Sequence, residues 1–307
     1  MVRYVAQRLI AMLPVMFGVA TATFIIVRIL PGDPVRAMLG TEEVSPDQVE
    51  RLRRELGLLD PLPIQYVKFL GGAVRGDLGR SILSNRPVFD EIMGQFPSTV
   101  QLAVFGLVFA LVFGMTMGVL AAVNRHSWID TAAMFVAIGG VATPNFFLGL
   151  LLIFIFAVRL QWLPATGQGS PKALILPGIT LGLAAGAIIA RLVRSSMLEV
   201  MRLEYITTAR AKGLRERMVV GRHALKNALI PVVTTVGVQM GALLGGAIVI
   251  ETVFARQGLG RLTIQAVLNK DAPLLQASVL FSAAVYVVIN FVVDLSYGFL
   301  DPRIRYG

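Results

Sequence analysis

The sequence contains no cysteine, only two histidines and few charged residues for its length. Of its 307 residues, 15% are charged and 56% are hydrophobic, whereas a soluble domain has about 25% and 45–50%. A globule of this size cannot bury that excess of apolar surface, but a lipid bilayer can act as its apolar solvent. The absence of cysteine excludes disulfides, thiolate metal sites and cysteine nucleophiles. The composition therefore predicts a polytopic membrane protein.

Motifs for catalysis are also missing. His126 and His223 both fall in predicted loops, and the sequence has no H-E-x-x-H, G-x-S-x-G or phosphate-binding G-x-x-x-x-G-K-[ST] pattern. The net charge of +10 does not indicate nucleic-acid binding, because most of the bases flank apolar runs, where they act as topology signals. We predict a protein that is not an enzyme, has no catalytic or metal-binding residues, and binds no cofactor itself.

Six apolar stretches are long enough to cross a bilayer, which requires about 20 residues at 1.5 Å each. They are Leu9–Val27, Ser98–Val123, Thr131–Val158, Leu174–Val193, Ala228–Ile250 and Gln276–Leu300. The third is too long for one straight crossing and contains Pro144, which cannot donate a backbone hydrogen bond. We predict a kink or break there.

The positions of lysine and arginine predict the orientation. Nine bases lie from Arg191 to Lys226, between the fourth and fifth spans, whereas the preceding loop has only Arg159 and Lys172. Because short cytoplasmic loops carry the excess of bases, both termini are predicted to be cytoplasmic. The basic segment Met1–Arg8 and the long apolar run after it predict an uncleaved first span.

These spans divide the chain into three regions: residues 1–30 with the first span, an extracytoplasmic loop at 31–97, and a five-span core at 98–307 that includes a cytoplasmic loop at 194–226. In the extracytoplasmic loop, Ser45-Pro46-Asp47-Gln48 predicts a helix start, and Gly57 a stop. A second amphipathic helix is predicted over Pro63–Arg75, ending at Gly76. The region fits a lid on the spans, a docking surface for an extracytoplasmic partner, or both.

Small residues recur at four-residue spacing within the spans. The three ladders are Gly114/Gly118, Gly178/Gly182/Gly186 and Gly237/Gly241/Gly245. Such ladders allow helices to pack closely. We expect static packing at the first ladder, whereas the other two should also permit their helices to slide or rock.

Polar side chains at membrane depth are few, and they should face protein or water. Pro144, Asn145 and Gln239 are the predicted translocation-path residues, with a static interhelical hydrogen bond as the alternative. The absence of charge near the centre of any predicted span argues against a proton-driven carrier.

The cytoplasmic loop at 194–226 holds the most informative pattern. A short helix within the segment Glu204–Leu214 is predicted to stop at Gly213, and a basic helix then leads into the fifth span. An interfacial amphipathic anchor explains the charges. It does not explain the small residues on one face, which suit a helix that fits a groove on another protein.

At these residues the sequence resembles the permeases of binding-protein-dependent ABC importers, in the dipeptide, oligopeptide, glutathione and nickel branch. The similarity lies in Glu204–Leu214 and His223–Pro231, with Thr207-Thr208-Ala209 in the place of the general Glu-Ala-Ala. Further similarity lies in Leu30–Pro34, Gly258–Arg261 and Asp301–Arg305.

The resemblance implies an all-α membrane protein with six transmembrane helices, a cytoplasmic coupling helix and a small helical extracytoplasmic loop domain. The implied partners are a second homologous permease, two cytoplasmic ATPase subunits that bind ATP and magnesium, an extracytoplasmic substrate-binding protein and membrane lipid. The implied ATPase-coupling residues are Glu204, Tyr205, Thr207, Thr208, Ala209, Arg210, Ala211, Lys212, Gly213 and Leu214.

The resemblance implies import of short peptides, and nickel is the alternative cargo within the branch. A secondary transporter is disfavoured by the lack of intramembrane charge. An integral membrane enzyme is disfavoured by the lack of a nucleophile–base pair or a metal-binding pattern.

Overall fold

The computed structural model describes residues 2–29, 45–55 and 57–300. The similar segments Leu30–Pro34 and Asp301–Arg305 lie outside this range. The described residues are mostly helical, with one isolated antiparallel bridge between Arg80 and Pro87. The helices are α1 (Val2–Ile29), α2 (Pro46–Glu55), α3 (Leu62–Arg75), α4 (Val88–Val123), α5 (Trp128–Ala142), α6 (Asn145–Leu152), α7 (Lys172–Val200), α8 (Glu204–Ala211), α9 (Glu216–Met218), α10 (Leu225–Ala228), α11 (Ile230–Val253), α12 (Leu259–Leu268) and α13 (Ala272–Leu300).

Five helices, α1, α4, α7, α11 and α13, are long and apolar enough to cross a membrane, and the bent pair α5–α6 makes a sixth crossing if both arms form one span. The predicted all-α membrane fold is confirmed. The largest difference in bounds is at α4, which begins at Val88 rather than at the predicted Ser98. The apolar run marks only the membrane part of this helix. Its first turn instead carries Asp90 and Glu91, which favour a helix N-terminus.

The predicted break at Pro144 is present. Helix α5 ends at Ala142, Thr143 is extended, and α6 starts at Asn145 at an angle of 110° to α5. Beyond α6 the chain continues as a π-helical segment over Ile153–Arg159, a feature that the sequence pattern does not reveal.

Of the described residues, 2–29, 45–55, 57–97 and 257–291 form one compact unit. Its core joins the start of α4 to α12 and α13 through Val88, Ile92, Leu259 and Leu274. Asp271 caps α13 by accepting a hydrogen bond from the backbone N–H of Leu274 at 3.2 Å, and it also accepts one from the Ser81 hydroxyl at 2.5 Å. This carboxylate therefore fixes the segment before α4 to the start of α13.

Of the described residues, 98–256 and 292–300 form the second unit. Helix α7 is its centre, with two thirds of its most apolar window buried, and its glycines lie against α4. A Cβ added at Gly114 would lie 2.6 Å from the carbonyl oxygen of Gly186, and one at Gly118 would lie 2.6 Å from that of Ala190. The Gly178/Gly182/Gly186 and Gly114/Gly118 ladders thus form one interface, because only small residues permit so close a backbone approach.

The glycines of the third ladder, Gly237/Gly241/Gly245, do not all lie in one close helix contact. A Cβ at Gly237 would collide with Val293 of α13, whereas one at Gly245 would meet nothing within 4 Å. The four-residue spacing therefore indicates close packing only at some of its members.

Candidate functional site

The predicted short helix of the loop at 194–226 is α8, and it ends as the sequence indicates. Gly213 has a φ of +78°, a conformation that glycine adopts without steric cost. The N–H of Gly213 donates to the Arg210 carbonyl at 2.9 Å, and that of Leu214 donates to the Ala209 carbonyl at 3.4 Å. This pair of bonds is a Schellman motif. The prediction for Gly213 is confirmed.

The inner face of α8 is part of the core of its unit. Ile206 is 0% exposed and Ala209 is 7% exposed. Both belong to one apolar cluster with Met197 of α7 and with Val219 and Ala224 of the π-helical segment Val219–Ala224. Full burial of an Ile side chain contributes about 1.5–3 kcal/mol. Movement of α8 is therefore resisted by side chains on both sides of the loop.

A polar contact ties the start of α8 to α10 and the residues before it. The Tyr205 hydroxyl accepts a hydrogen bond from the Asn227 amide nitrogen at 2.7 Å and donates one to the His223 carbonyl at 3.3 Å. These contacts connect residues 18 and 22 positions apart. Tyr205 is thus an anchoring residue as well as one of the predicted coupling residues.

An ion pair closes the turn after α8. Arg210 donates to the two carboxylate oxygens of Glu216 at 2.6 and 3.1 Å. The hydrogen bonds from Arg210 lower the pKa of Glu216. Both side chains are at least 40% exposed, so the pair adds at most about 1 kcal/mol in water.

The outer face of α8 is free of such anchors. Glu204, Thr207, Thr208 and Ala211 are exposed, and the Thr208 hydroxyl bonds only within the helix, to the Glu204 carbonyl at 3.0 Å. The predicted coupling residues thus fall into two groups: those on the inner side of α8, which are held by the rest of the unit, and those on its exposed outer face. Ile206 was not in the predicted set, although its spacing of three residues from Ala209 could have revealed the inner face.

An ion pair also holds the stem of the loop, which is the end of α7 where the loop at 194–226 begins. Arg194 of α7 donates two hydrogen bonds to Asp130 of α5, at 2.6 and 2.8 Å. The Asp130 carboxylate also accepts from the backbone N–H of His126 at 3.2 Å. Beside it, a groove of about 430 Å³ follows α7, lined by Arg194, Ser195, Leu198, Glu199 and Arg202. The sequence gives no signal for this ion pair, since its partners are 64 residues apart.

The predicted path residues lie on two different helices. Pro144 forms the break, Asn145 is the half-buried first residue of α6, and Gln239 of α11 is 7% exposed. Helix α6 packs against both α7 and α11. A Cβ at Gly149 of α6 would lie 3.1 Å from the Phe254 ring. The two arms of the break are therefore held differently, since α5 contacts mainly α7.

A buried polar cluster near the other end of α11 was not predicted. Glu251 is 0% exposed and accepts a hydrogen bond from the Thr99 hydroxyl at 2.6 Å. Ser98 accepts hydrogen bonds from Gln168 at 2.6 Å and from Arg256 at 3.3 Å. The predicted fifth span ended at Ile250, one residue before this carboxylate, because the apolar run ends there. Within residues 2–29, 45–55 and 57–300, no group of three or more His, Cys, Asp or Glu side chains could hold a metal ion.

Comparison with known proteins gives a consistent result. Residues 114–306 match the family described as binding-protein-dependent transport system inner membrane component, and residues 1–103 match the N-terminal region of such membrane components. The glutathione transport system permease protein GsiC of Escherichia coli K12 is 45% identical over 306 residues, covering 100% of both chains. The dipeptide transport system permease protein DppB of Alkalihalophilus pseudofirmus is 41% identical over 334 residues, again covering 100% of both.

Solved structures share the fold. Two inward-facing forms of the MetNI methionine ABC transporter match 70% of this chain and 99% of theirs, with TM-scores of 0.59 and 0.61 at 21% and 20% identity. At that identity the likeness shows the fold alone.

Proposed function

Because this chain belongs to the family of binding-protein-dependent transport system inner membrane components, we propose that it is a permease subunit of an ATP-driven importer of short peptides. The two relatives above are named for glutathione and for dipeptides, and both are short peptides. In this proposal the chain is not an enzyme. Two cytoplasmic ATPase subunits bind ATP and magnesium and carry out the hydrolysis.

The chain forms the translocation path together with a second homologous permease. An extracytoplasmic binding protein delivers the peptide and sets most of the specificity. Both termini lie in the cytoplasm of a bacterial cell, as the basic loop from Arg191 to Lys226 supports. Pro144, Asn145 and Gln239 border the path, where an amide in the membrane is favourable only beside water or a polar partner.

The division of α8 into two faces carries the functional assignment. The outer residues Thr207, Thr208 and Ala211 fit a cleft in an ATPase subunit, because they are small and exposed. The inner residues Ile206 and Ala209 are packed into the core with α7. A push on the outer face therefore moves the ends of α7 and α11 rather than the loop alone.

The stem contact extends this movement to the broken span. Asp130 begins the first arm of the α5–α6 pair and is held by Arg194, close to the end of α7. ATPase closure then reorients α7 and α5 together. Phe105, Phe109 and Phe113 of α4 lie against Gly178, Gly182 and Gly186 of α7, so these two helices interlock and move together.

The orientation is tested with single cysteines, since the chain has none of its own. Ser195→Cys should react only with maleimides that enter the cytoplasm, and Ser45→Cys should react with impermeant reagents in intact cells. Both residues are exposed. Labelling of Ser195→Cys from outside would contradict the orientation.

The coupling function is tested by two valine substitutions in the same loop. Gly213→Val forces a β-branched residue into a φ of +78°. Gly221→Val is the matched control, because a Cβ at either glycine meets nothing within 4 Å and only Gly213 has a left-handed φ. We expect Gly213→Val to lose ATPase co-purification and peptide uptake, while Gly221→Val retains most of both. Equal uptake by the two variants would contradict the assignment of α8 as the ATPase-coupling helix.

A further inference from the structure

Helix α3 lies against the first span, within the same compact unit. The Tyr66 hydroxyl is 2.6 Å from that of Thr21, and its ring packs edge-on to Phe24 with centroids 5.0 Å apart. Phe69 also contacts Phe24, at 5.9 Å between centroids. One face of α3 is therefore fixed to α1 by two aromatic side chains and a hydrogen bond.

The position of these contacts along α1 indicates how deep in the bilayer they lie. Arg28 lies over the Phe24 ring at 3.4 Å and donates to the side chain of Gln65 at 2.6 Å. At a rise of 1.5 Å per residue, Phe24 is about 6 Å and Thr21 about 10 Å further into the span than Arg28. Since a charged guanidinium favours the membrane boundary, Tyr66 reaches α1 below the polar boundary of the bilayer.

The remaining surface of α3 is apolar on one flank and charged on another. At about 100° per residue, Val67, Leu70 and Val74 form an apolar flank beside the face that touches α1. Lys68 and Arg75 form a polar flank about 100° further round the helix. Val67 is 68% and Val74 is 88% exposed, and no residue of α3 is buried.

Two arguments identify what covers the apolar flank. The span beneath it exposes apolar side chains of its own, with Leu13 at 67%, Phe17 at 57% and Ile26 at 55% exposed, and these face lipid in a membrane-spanning helix. The polar flank lies about 100° round the helix from the apolar flank, and its Lys68 binds Asp60 at 2.6 Å, outside the helix. This is the arrangement of a helix that lies in the plane of a membrane interface.

We propose that α3 is an interfacial membrane helix whose apolar flank contacts lipid acyl chains and whose polar flank faces the headgroups and water. It occupies the leaflet that surrounds the Arg28 end of α1, which is the outer leaflet in the topology proposed above. The first outer loop is then partly a membrane element rather than only a lid or a docking surface. Lipid holds the aromatic face of α3 against α1.

The test compares neighbouring positions on the apolar and the polar flank of α3. Val67→Cys and Lys68→Cys each receive a nitroxide label, in membrane vesicles that contain the full importer. Collisions with oxygen, which concentrates in lipid, and with a neutral nickel chelate, which stays in water, are then measured. We expect oxygen to exceed the nickel chelate at least threefold at Val67 and the order to reverse at Lys68. Val74→Cys and Arg75→Cys repeat the comparison about two helical turns further on.

Two outcomes overturn the proposal. Equal nickel access at Val67 and Lys68 would place α3 in water. Protection of Val67 from both reagents would mean that protein covers the flank. Each labelled side chain is exposed, so the label does not disturb packing, and peptide uptake by the same vesicles verifies that the labelled chain is folded. The result does not depend on whether α8 binds an ATPase.

Discussion

Helices α8 and α3 are both short and both lie outside the predicted spans, yet they are held in different ways. Helix α8 buries Ile206 and Ala209 completely or nearly so, and Tyr205 adds a polar contact to Asn227. Helix α3 has no buried residue and leaves Val74 88% exposed.

The difference follows from what each helix must resist. A helix that transmits force needs contacts on both sides in sequence, and α8 has them with α7 before it and with residues 219–228 after it. A helix that rests on a bilayer needs only one protein contact, since lipid supplies the other. Substitutions in α8 should therefore change transport much more than matched substitutions in α3.

The largest effect is expected from Ile206→Asp. A carboxylate at a position that is 0% exposed has no partner, and burying an unpaired charge costs several kcal/mol. Peptide uptake should fall to background, with proteolysis appearing within residues 201–229. Ile206→Leu is the control and should keep most of the uptake. In α3, Val67→Asp should leave α8 resistant to protease, and cleavage of the loop at 194–226 in that variant would contradict the difference between the two helices.

The next effect concerns the stem of the loop. Arg194→Met leaves Asp130, whose side chain is 8% exposed, without its charged partner, a loss of about 3–5 kcal/mol in buried pairs. The double variant Arg194→Met/Asp130→Asn removes the uncompensated charge. We expect thermal stability in detergent to fall in the single variant and to recover by at least half in the double variant. Additive losses would show that the two side chains are not coupled.

A smaller effect is expected from Tyr205→Phe. This change removes only the hydroxyl that contacts Asn227 and His223, and such hydrogen bonds contribute about 1 kcal/mol. Uptake should fall a few-fold at most, while ATPase hydrolysis without peptide should rise as coupling loosens. Tyr66→Phe in α3 removes a similar hydroxyl and should leave ATPase hydrolysis unchanged. An equal rise in both variants would contradict the assignment of coupling to α8.

The smallest effect concerns Glu216→Gln. The pKa of this carboxyl is lowered by its hydrogen bonds to Arg210, so its stabilisation is complete above the unfolded value of about 4.3 and is lost as the pH falls through the lower folded value. At neutral pH the variant should change uptake less than twofold, because the pair is exposed. The loss should be largest at low salt, and uptake measured at two salt concentrations checks this.

Local features of the structure could be predicted from sequence because they depend on single residues. The stops at Gly57, Gly76 and Gly213 follow from glycines with positive φ, and the break between α5 and α6 follows from Pro144. The six apolar segments follow from the thickness of the bilayer. Their bounds are less predictable, since α4 begins ten residues before its apolar run.

The contacts that assemble the site could not be predicted in this way. Asp130 and Arg194 are 64 residues apart, and Thr99 and Glu251 are 152 apart. A single sequence gives no signal for such pairs, because each residue, considered alone, is an ordinary polar or charged residue in a loop or at the end of a span. The two faces of α8 lie between these cases. Their helical spacing is visible, but only the positions of α7 and of residues 219–224 decide which face is inside.

The most direct test of the account asks which protein touches the outer face of α8. A benzophenone attached to Thr208→Cys is photolysed in membranes that contain the whole importer, with the same probe on Ser45→Cys for comparison. Thr208 is exposed, and its hydroxyl donates a hydrogen bond to the Glu204 carbonyl of its own helix. We predict a covalent adduct with an ATPase subunit from Thr208 and none from Ser45. An adduct from Thr208 with the extracytoplasmic binding protein, or with lipid alone, would contradict the central claim.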